Sequence, residues 1–150
     1  MSAQPHDPGF EARVRDSFAR QAAMRTIGAE LAHVAAGEVD IRLPFRADLT
    51  QQHGFLHAGI VAAVADSACG YAALTLMPAD AGVVSVEFKV NLLAPAAGDA
   101  FVARARVTRS GRTLSVCTAD VYALRGGEER LVATMLGTMM ALVDRPGFAG

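Results

Sequence analysis

The residues of this chain best suited to chemistry lie between positions 51 and 66. The run Gln51-Gln52-His53-Gly54-Phe55-Leu56-His57-Ala58-Gly59 is followed, nine positions after His57, by Asp66. Asp66 is the only charged residue between His57 and Met77. A carboxylate in so apolar a segment is costly unless something satisfies or uses it. Burial favours its neutral form, so such a group is a better general base than a surface aspartate. The 51–59 run ends where the apolar segment reads as a helix. A helix N-terminus offers free N–H groups and a dipole that favours developing negative charge. Ala58 and Gly59 have almost no side chain, so a carbonyl group can come close to that backbone.

Other chemistries fit less well. His53 and His57 are four apart, a zinc spacing only when both lie on one helix, and Gly54 stands between them. Cys69 and Cys117 lie in apolar runs without a C-x-x-C spacing, which reads as inert packing. No G-x-S-x-G occurs. No metal site is expected.

These residues need a scaffold. Asp7-Pro8 is a helix start, and Phe10, Val14 and Phe18 recur at helical spacing, which predicts one amphipathic helix ending near Ala23. Residues 29 to 36 and 38 to 45 read as two strands around Gly37, with Val39, Ile41 and Leu43 alternating. Residues 44 to 54 read as loop. A helix from about His57 to Leu76 follows, apolar on nearly every side and hence expected to be surrounded. From Val83 the period changes to two. Strands are expected at 83–93, 100–109, 113–123 and 131–143, separated by turn signals at Pro95 to Gly98, Ser110-Gly111 and Gly126-Gly127. The order is α–β–β–α–β–β–β–β, one central helix against a curved antiparallel sheet.

The chain has 150 residues, 52% of them hydrophobic and 19% charged, with a formal net charge of −1. That length suits one domain with a real core, and the apolar balance suggests surface hidden in an oligomer. No basic stripe is present, which argues against nucleic acid as a partner. The polar segment 1–9 is unlike a secretory signal, so a cytoplasmic location is expected. Asp66 and the flanking strand-like segments argue against reading 57–77 as a membrane span.

The segment resembles the acyl-CoA thioesterases of the phenylacetate-degradation type, in the hotdog-fold superfamily. Their pattern is Asn, Gly three residues later, Leu-His-Gly-Gly, then Asp nine residues after the His. Gln51, Gly54, Leu56-His57-Ala58-Gly59 and Asp66 occupy those places without a gap. Gln51 stands where the family has Asn, and Ala58 where it has Gly. Ser85 and Pro95 match a further family spacing, and Arg109-Ser110-Gly111-Arg112 matches a basic turn between late strands. The resemblance covers roughly residues 25 to 143.

It implies an α+β hotdog fold with five to six strands, residues 1–24 being an N-terminal segment with the amphipathic helix and 25–150 the single domain. It also implies a thioester hydrolase acting on a fatty or aryl acyl-CoA, with coenzyme A part of the substrate and no separate cofactor. The Ala58 N–H would stabilise the oxyanion. Asp66, from the neighbouring subunit, would activate water or attack directly. Gln51 would orient the water or thioester, His57 would brace the loop, and Ser85 would position Asp66 or the water. Gly54, Gly59, Arg109, Gly111 and Arg112 would contact substrate, the arginines at its phosphates. A homodimer or homotetramer is implied. Three alternatives remain: a hotdog enoyl-thioester hydratase or dehydratase, a non-catalytic acyl-CoA-binding protein, and a dimerising core domain with no site.

Overall fold

The structure, a computed structural model, describes residues 3–150. Helix α1 spans Phe10–Arg20 and α2 spans Ala22–Ile27. Strands β1 (Glu30–Ala35) and β2 (Glu38–Pro44) precede helix α3 (Ala58–Leu74). Strands β3 (Gly82–Leu92), β4 (Ala100–Ser110), β5 (Leu114–Arg125) and β6 (Glu128–Leu142) complete the chain. All six strands pair antiparallel in the order β1-β2-β4-β5-β6-β3. Between β2 and β3 the chain crosses the sheet as α3, so the helix is wrapped by the sheet it connects. This is the hotdog fold, as the family resemblance implied.

Alternation supplies the inner face. Val39, Ile41 and Leu43 of β2, Phe101, Ala103 and Ala105 of β4, Cys117, Ala119 and Val121 of β5, and Met135 and Met139 of β6 are all buried. Opposite them α3 presents Ala65, Ala68, Cys69 and Ala72, which are fully buried. Such small residues let helix and sheet backbones approach closely. The β5–β6 turn is Gly126-Gly127, both at positive φ (57° and 80°), as a two-residue hairpin loop requires.

Three expectations change. The N-terminal helix does not run on to Ala23. Gln21 leaves helical geometry (φ −76°, ψ 97°), and a second short helix continues to Ile27, capped by Gly28. The 44–54 loop contains a short 3-10 turn at Ala47–Leu49. Helix α3 is not covered on every side: Ala62, Ala63, Asp66 and Gly70 form a half-exposed stripe at helical spacing.

Arg13 fastens α1 to the end of α3. Its guanidinium donates to the carbonyls of Leu74 (2.8 Å), Met77 (3.0 Å) and Pro78 where the chain leaves α3, adding to the backbone bonds that Leu74 O and Pro78 O accept from Met77 and Ala81 N–H. Arg13→Met removes all three bonds and should destabilise the protein by about 2 kcal/mol, read as a lower urea midpoint. An unchanged midpoint would mean that apolar contacts alone hold α1.

Candidate functional site

The 51–59 loop is held from both sides. Gln51 N–H donates to the Phe55 carbonyl (2.8 Å) and Gly54 N–H to the Gln51 carbonyl (3.0 Å), closing a tight turn with Gly54 at φ 83°. Leu56 N–H donates to Ala96 O and His57 N–H to Leu49 O, both at 3.0 Å. His57 is the N-cap of α3, and its Nδ1 accepts from Gly59 N–H at 2.8 Å. A side chain at position 59 would begin 3.0 Å from that nitrogen, so glycine is what lets the ring fold over the helix start. Ile60 and Val61 N–H both donate to His57 O. Ala58 N–H has no partner among the described residues and is exposed, so it is the donor this helix start leaves free.

Asp66 lies eight residues further along, about 12 Å down the helix axis. It is half-buried, and its Oδ1 accepts a hydrogen bond from the Ser85 hydroxyl at 2.7 Å. Ser85 pairs with Met139, and a bulge follows it, because Val86 is inserted before Glu87 meets Thr138. Met139 Sδ lies 3.4 Å from the hydroxyl. The bulge turns this part of an edge strand towards α3.

Two clefts flank these groups. One, about 350 Å³, contains Asp66 and Ser85 together with Ser17, Gln21, Ser67 and Tyr71. The other, about 440 Å³ and mainly apolar, runs from Gln51 and Ala58 past Phe55 and Val61 to Leu92 and Pro95. Within one chain, then, Asp66 and Ser85 come together, as do Gln51 and Ala58, but the two pairs open into different clefts.

Gln51 lines the cleft at the start of α3, and its Oε1 accepts from His53 N–H within its own loop, which leaves its amide N–H groups without a partner there. Arg109, Gly111 and Arg112 are exposed on the β4–β5 turn and line neither cleft. They are nonetheless at the Asp66 end of the sheet. Ser110 pairs with Ser115, Ser115 with Met139, and Met139 with Ser85, a row across four strands. That places the turn roughly 14 Å from Ser85. Sequence reasoning missed Ser17 of α1 and Gln21, at the break between α1 and α2, in the Asp66 cleft. The amphipathic spacing of α1 showed that it docks, but not against which part of α3.

The profile of the thioesterase superfamily matches residues 53–129, just over half of the chain, and the chain belongs to that superfamily. A thioesterase family protein from Silicibacter pomeroyi has a solved structure that is 57% identical, with a TM-score of 0.89 over 90% of this chain and 99% of that one. The E. coli PaaI protein of the phenylacetic acid degradation operon shares the fold (TM-score 0.79, 89% of this chain, 93% of that one) at 19% identity. A Halobacterium salinarum protein named only provisionally as an esterase is 33% identical over 100 residues, 63% of this chain and 66% of its own length. Superfamily membership places the chain among the hydrolases. No helix among the described residues is long and apolar enough to cross a membrane.

The cysteines take no part in this arrangement. Both are buried, and burial pushes the Cys117 thiol up to about 12 and raises that of Cys69 still further. An aromatic disulfide reagent at pH 8 should label neither in the native protein and both after unfolding. Labelling of Cys69 in the folded state would reopen a thiolate nucleophile.

Proposed function

We propose that the protein is a cytoplasmic, homo-oligomeric acyl-CoA thioesterase that hydrolyses a fatty or aryl acyl-CoA to the free acid and coenzyme A. The observation that carries this reading is the pairing of a carboxylate oriented by a hydroxyl, Asp66 with Ser85, and one free backbone donor, Ala58 N–H, on the same helix. They are too far apart to act on one carbonyl in one chain, so a second copy is needed to complete the site.

Two surfaces suit that copy. Strand β3 is an unpaired edge eleven residues long, with Val86 (52%), Phe88 (44%) and Leu92 (55%) exposed, which is a template for strand pairing. The half-exposed stripe on α3 carries small residues that allow a second helix to come close. A two-fold axis near Ala62 would set Asp66 of each copy against Ala58 of the other, since antiparallel helices match positions symmetrically about the axis.

In the completed site Asp66 takes a proton from water as its oxygen bonds to the thioester carbonyl carbon. The carbonyl oxygen becomes an oxyanion held by the other chain's Ala58 N–H. Collapse breaks the carbon–sulfur bond, and the proton passes from Asp66 to the departing thiolate of coenzyme A. Gln51 donates an amide N–H to the thioester or the water, and His57 with Gly54 and Gly59 keeps the donor loop in shape. Arg109 and Arg112, on the turn shaped by Gly111, meet the phosphates of coenzyme A.

Asp66→Asn should lower kcat at least about 100-fold in a thiol-release assay over short, medium, long and aryl acyl-CoAs, while acyl-CoA binding persists. Ala58→Pro removes the N–H and puts a ring carbon in its place. Proline is tolerated in a helix's first position, and His57 already has the extended geometry (ψ 137°) that precedes proline. It should also lower kcat about 100-fold. Full turnover in Asp66→Asn would refute the mechanism. Acyl-CoA binding without any thiol release by the wild type would favour the non-catalytic reading.

A further inference from the structure

We propose that residues 144–150 form a strap that covers substrate in the Asp66 cleft, with Gly82 as its seat and Phe148 as the covering side chain. The inference rests on the acyl-CoA reading above and adds a substrate-contacting segment to it.

Gly147, Phe148, Ala149 and Gly150 line the cleft that contains Asp66 and Ser85. Strand pairing brings them there. Leu142, the last residue of β6, pairs with Gly82, the first of β3, so the chain leaves the sheet three residues from Ser85. It then turns back. Asp144 (φ 53°) and Gly147 (φ 84°) take left-handed backbone geometry on either side of Arg145-Pro146, and Phe148 N–H donates to Arg145 O at 3.1 Å. Aspartate and glycine adopt that geometry more readily than other residues.

The seat is close. A Cβ built on Gly82 would lie 1.7 Å from Phe148 O and 2.8 Å from its carbonyl carbon, so only glycine admits the strap here. Gly82 is not among the glycines at positive φ. Its backbone therefore suits other residues, and what position 82 lacks is room.

The strap is lightly tied. Among the described residues one hydrogen bond joins it to the rest of the molecule, from Gly150 N–H to Ala81 O at 3.0 Å. Residues 144–149 are exposed. A segment with few buried contacts opens at a far lower free energy than a sheet does, as a cover that admits substrate must.

Phe148 is 56% exposed although it borders the cleft. Val83, next to the seat, lines the same cleft, so the apolar surface continues from β3 to the strap. The thioester of an acyl-CoA carries hydrocarbon on both sides, in the acyl group and in the pantetheine arm. Substrate reaching Asp66 brings one of these against the ring, and both surfaces leave water.

The chain contains no tryptophan, so Phe148→Trp puts a single fluorophore on the strap. It is titrated with coenzyme A and with a 2-oxoalkyl-CoA thioether, in which a methylene between sulfur and carbonyl prevents hydrolysis. Emission should shift to the blue, and acrylamide quenching should fall about twofold as a half-exposed ring becomes covered. A change with both ligands assigns the contact to pantetheine, and a change with the thioether alone assigns it to the acyl group. No change with either, while calorimetry shows the thioether bound, overturns the strap and leaves the thioesterase reading intact. In Gly82→Ala the added methyl unseats the strap, so KM should rise about five- to tenfold with kcat altered less than about twofold. A wild-type KM in that variant overturns the proposal, and the tryptophan titration decides it should Gly82→Ala fail to fold. Absence of both thioether binding and thiol release from any acyl-CoA overturns both readings.

Discussion

The structure turns on one hydrogen bond, from the Ser85 hydroxyl to Asp66 Oδ1 at 2.7 Å. A helix wrapped by a sheet must be apolar where the sheet covers it, and α3 is so nearly uniform that a single carboxylate stands out. That charge is tolerable only on the stripe the sheet leaves half open, with a donor aimed at it. The donor comes from β3, an edge strand, and a bulge follows directly after Ser85. The carboxylate, the small residues beside it and the exposed edge strand are therefore parts of one arrangement.

The opposite end of α3 meets the complementary requirement. His57 caps the helix with its ring, which takes up Gly59 N–H, while its carbonyl takes up the next two N–H groups. Only Ala58 N–H is left over. A helix start with every donor free would bind anions loosely over its whole end, whereas a single free donor has a direction. Around these groups, Arg13 pins α1 against the last turn of α3, and α1 with the break that follows it supplies Ser17 and Gln21 to the Asp66 cleft. The N-terminal helix is thus part of the cleft wall as well as of the packing.

Much of this was legible in the chain before its structure. Alternation located β2 and β4 to β6 to within a few residues, because one face of each strand is buried. The lone Asp66 and the small residues at 58 and 59 marked both ends of the candidate site, since unusual residues in a uniform segment are informative. What was not legible depended on side-chain direction and on contacts distant in sequence. The spacing could place Gln51 but not show that its carbonyl closes on His53 N–H. Helical periodicity ran through Gln21, because a backbone break supported by a bond to Ser67, forty-six residues away, leaves no local mark. The apolarity of α3 on nearly every side predicted that other elements surround it; one chain leaves a half-exposed stripe at Ala62, Ala63, Asp66 and Gly70.

Mixing two inactive variants tests whether the site is shared between chains. Asp66→Asn retains a free Ala58 N–H, and Ala58→Pro retains Asp66, so a mixed dimer contains one intact site if the two groups act across the interface. Refolding or co-expressing equal amounts should restore about a quarter of wild-type activity, since half the dimers are mixed and each has one working site of two. A mixture as inactive as its components, in a sample shown to contain mixed dimers, would contradict a site built from both chains.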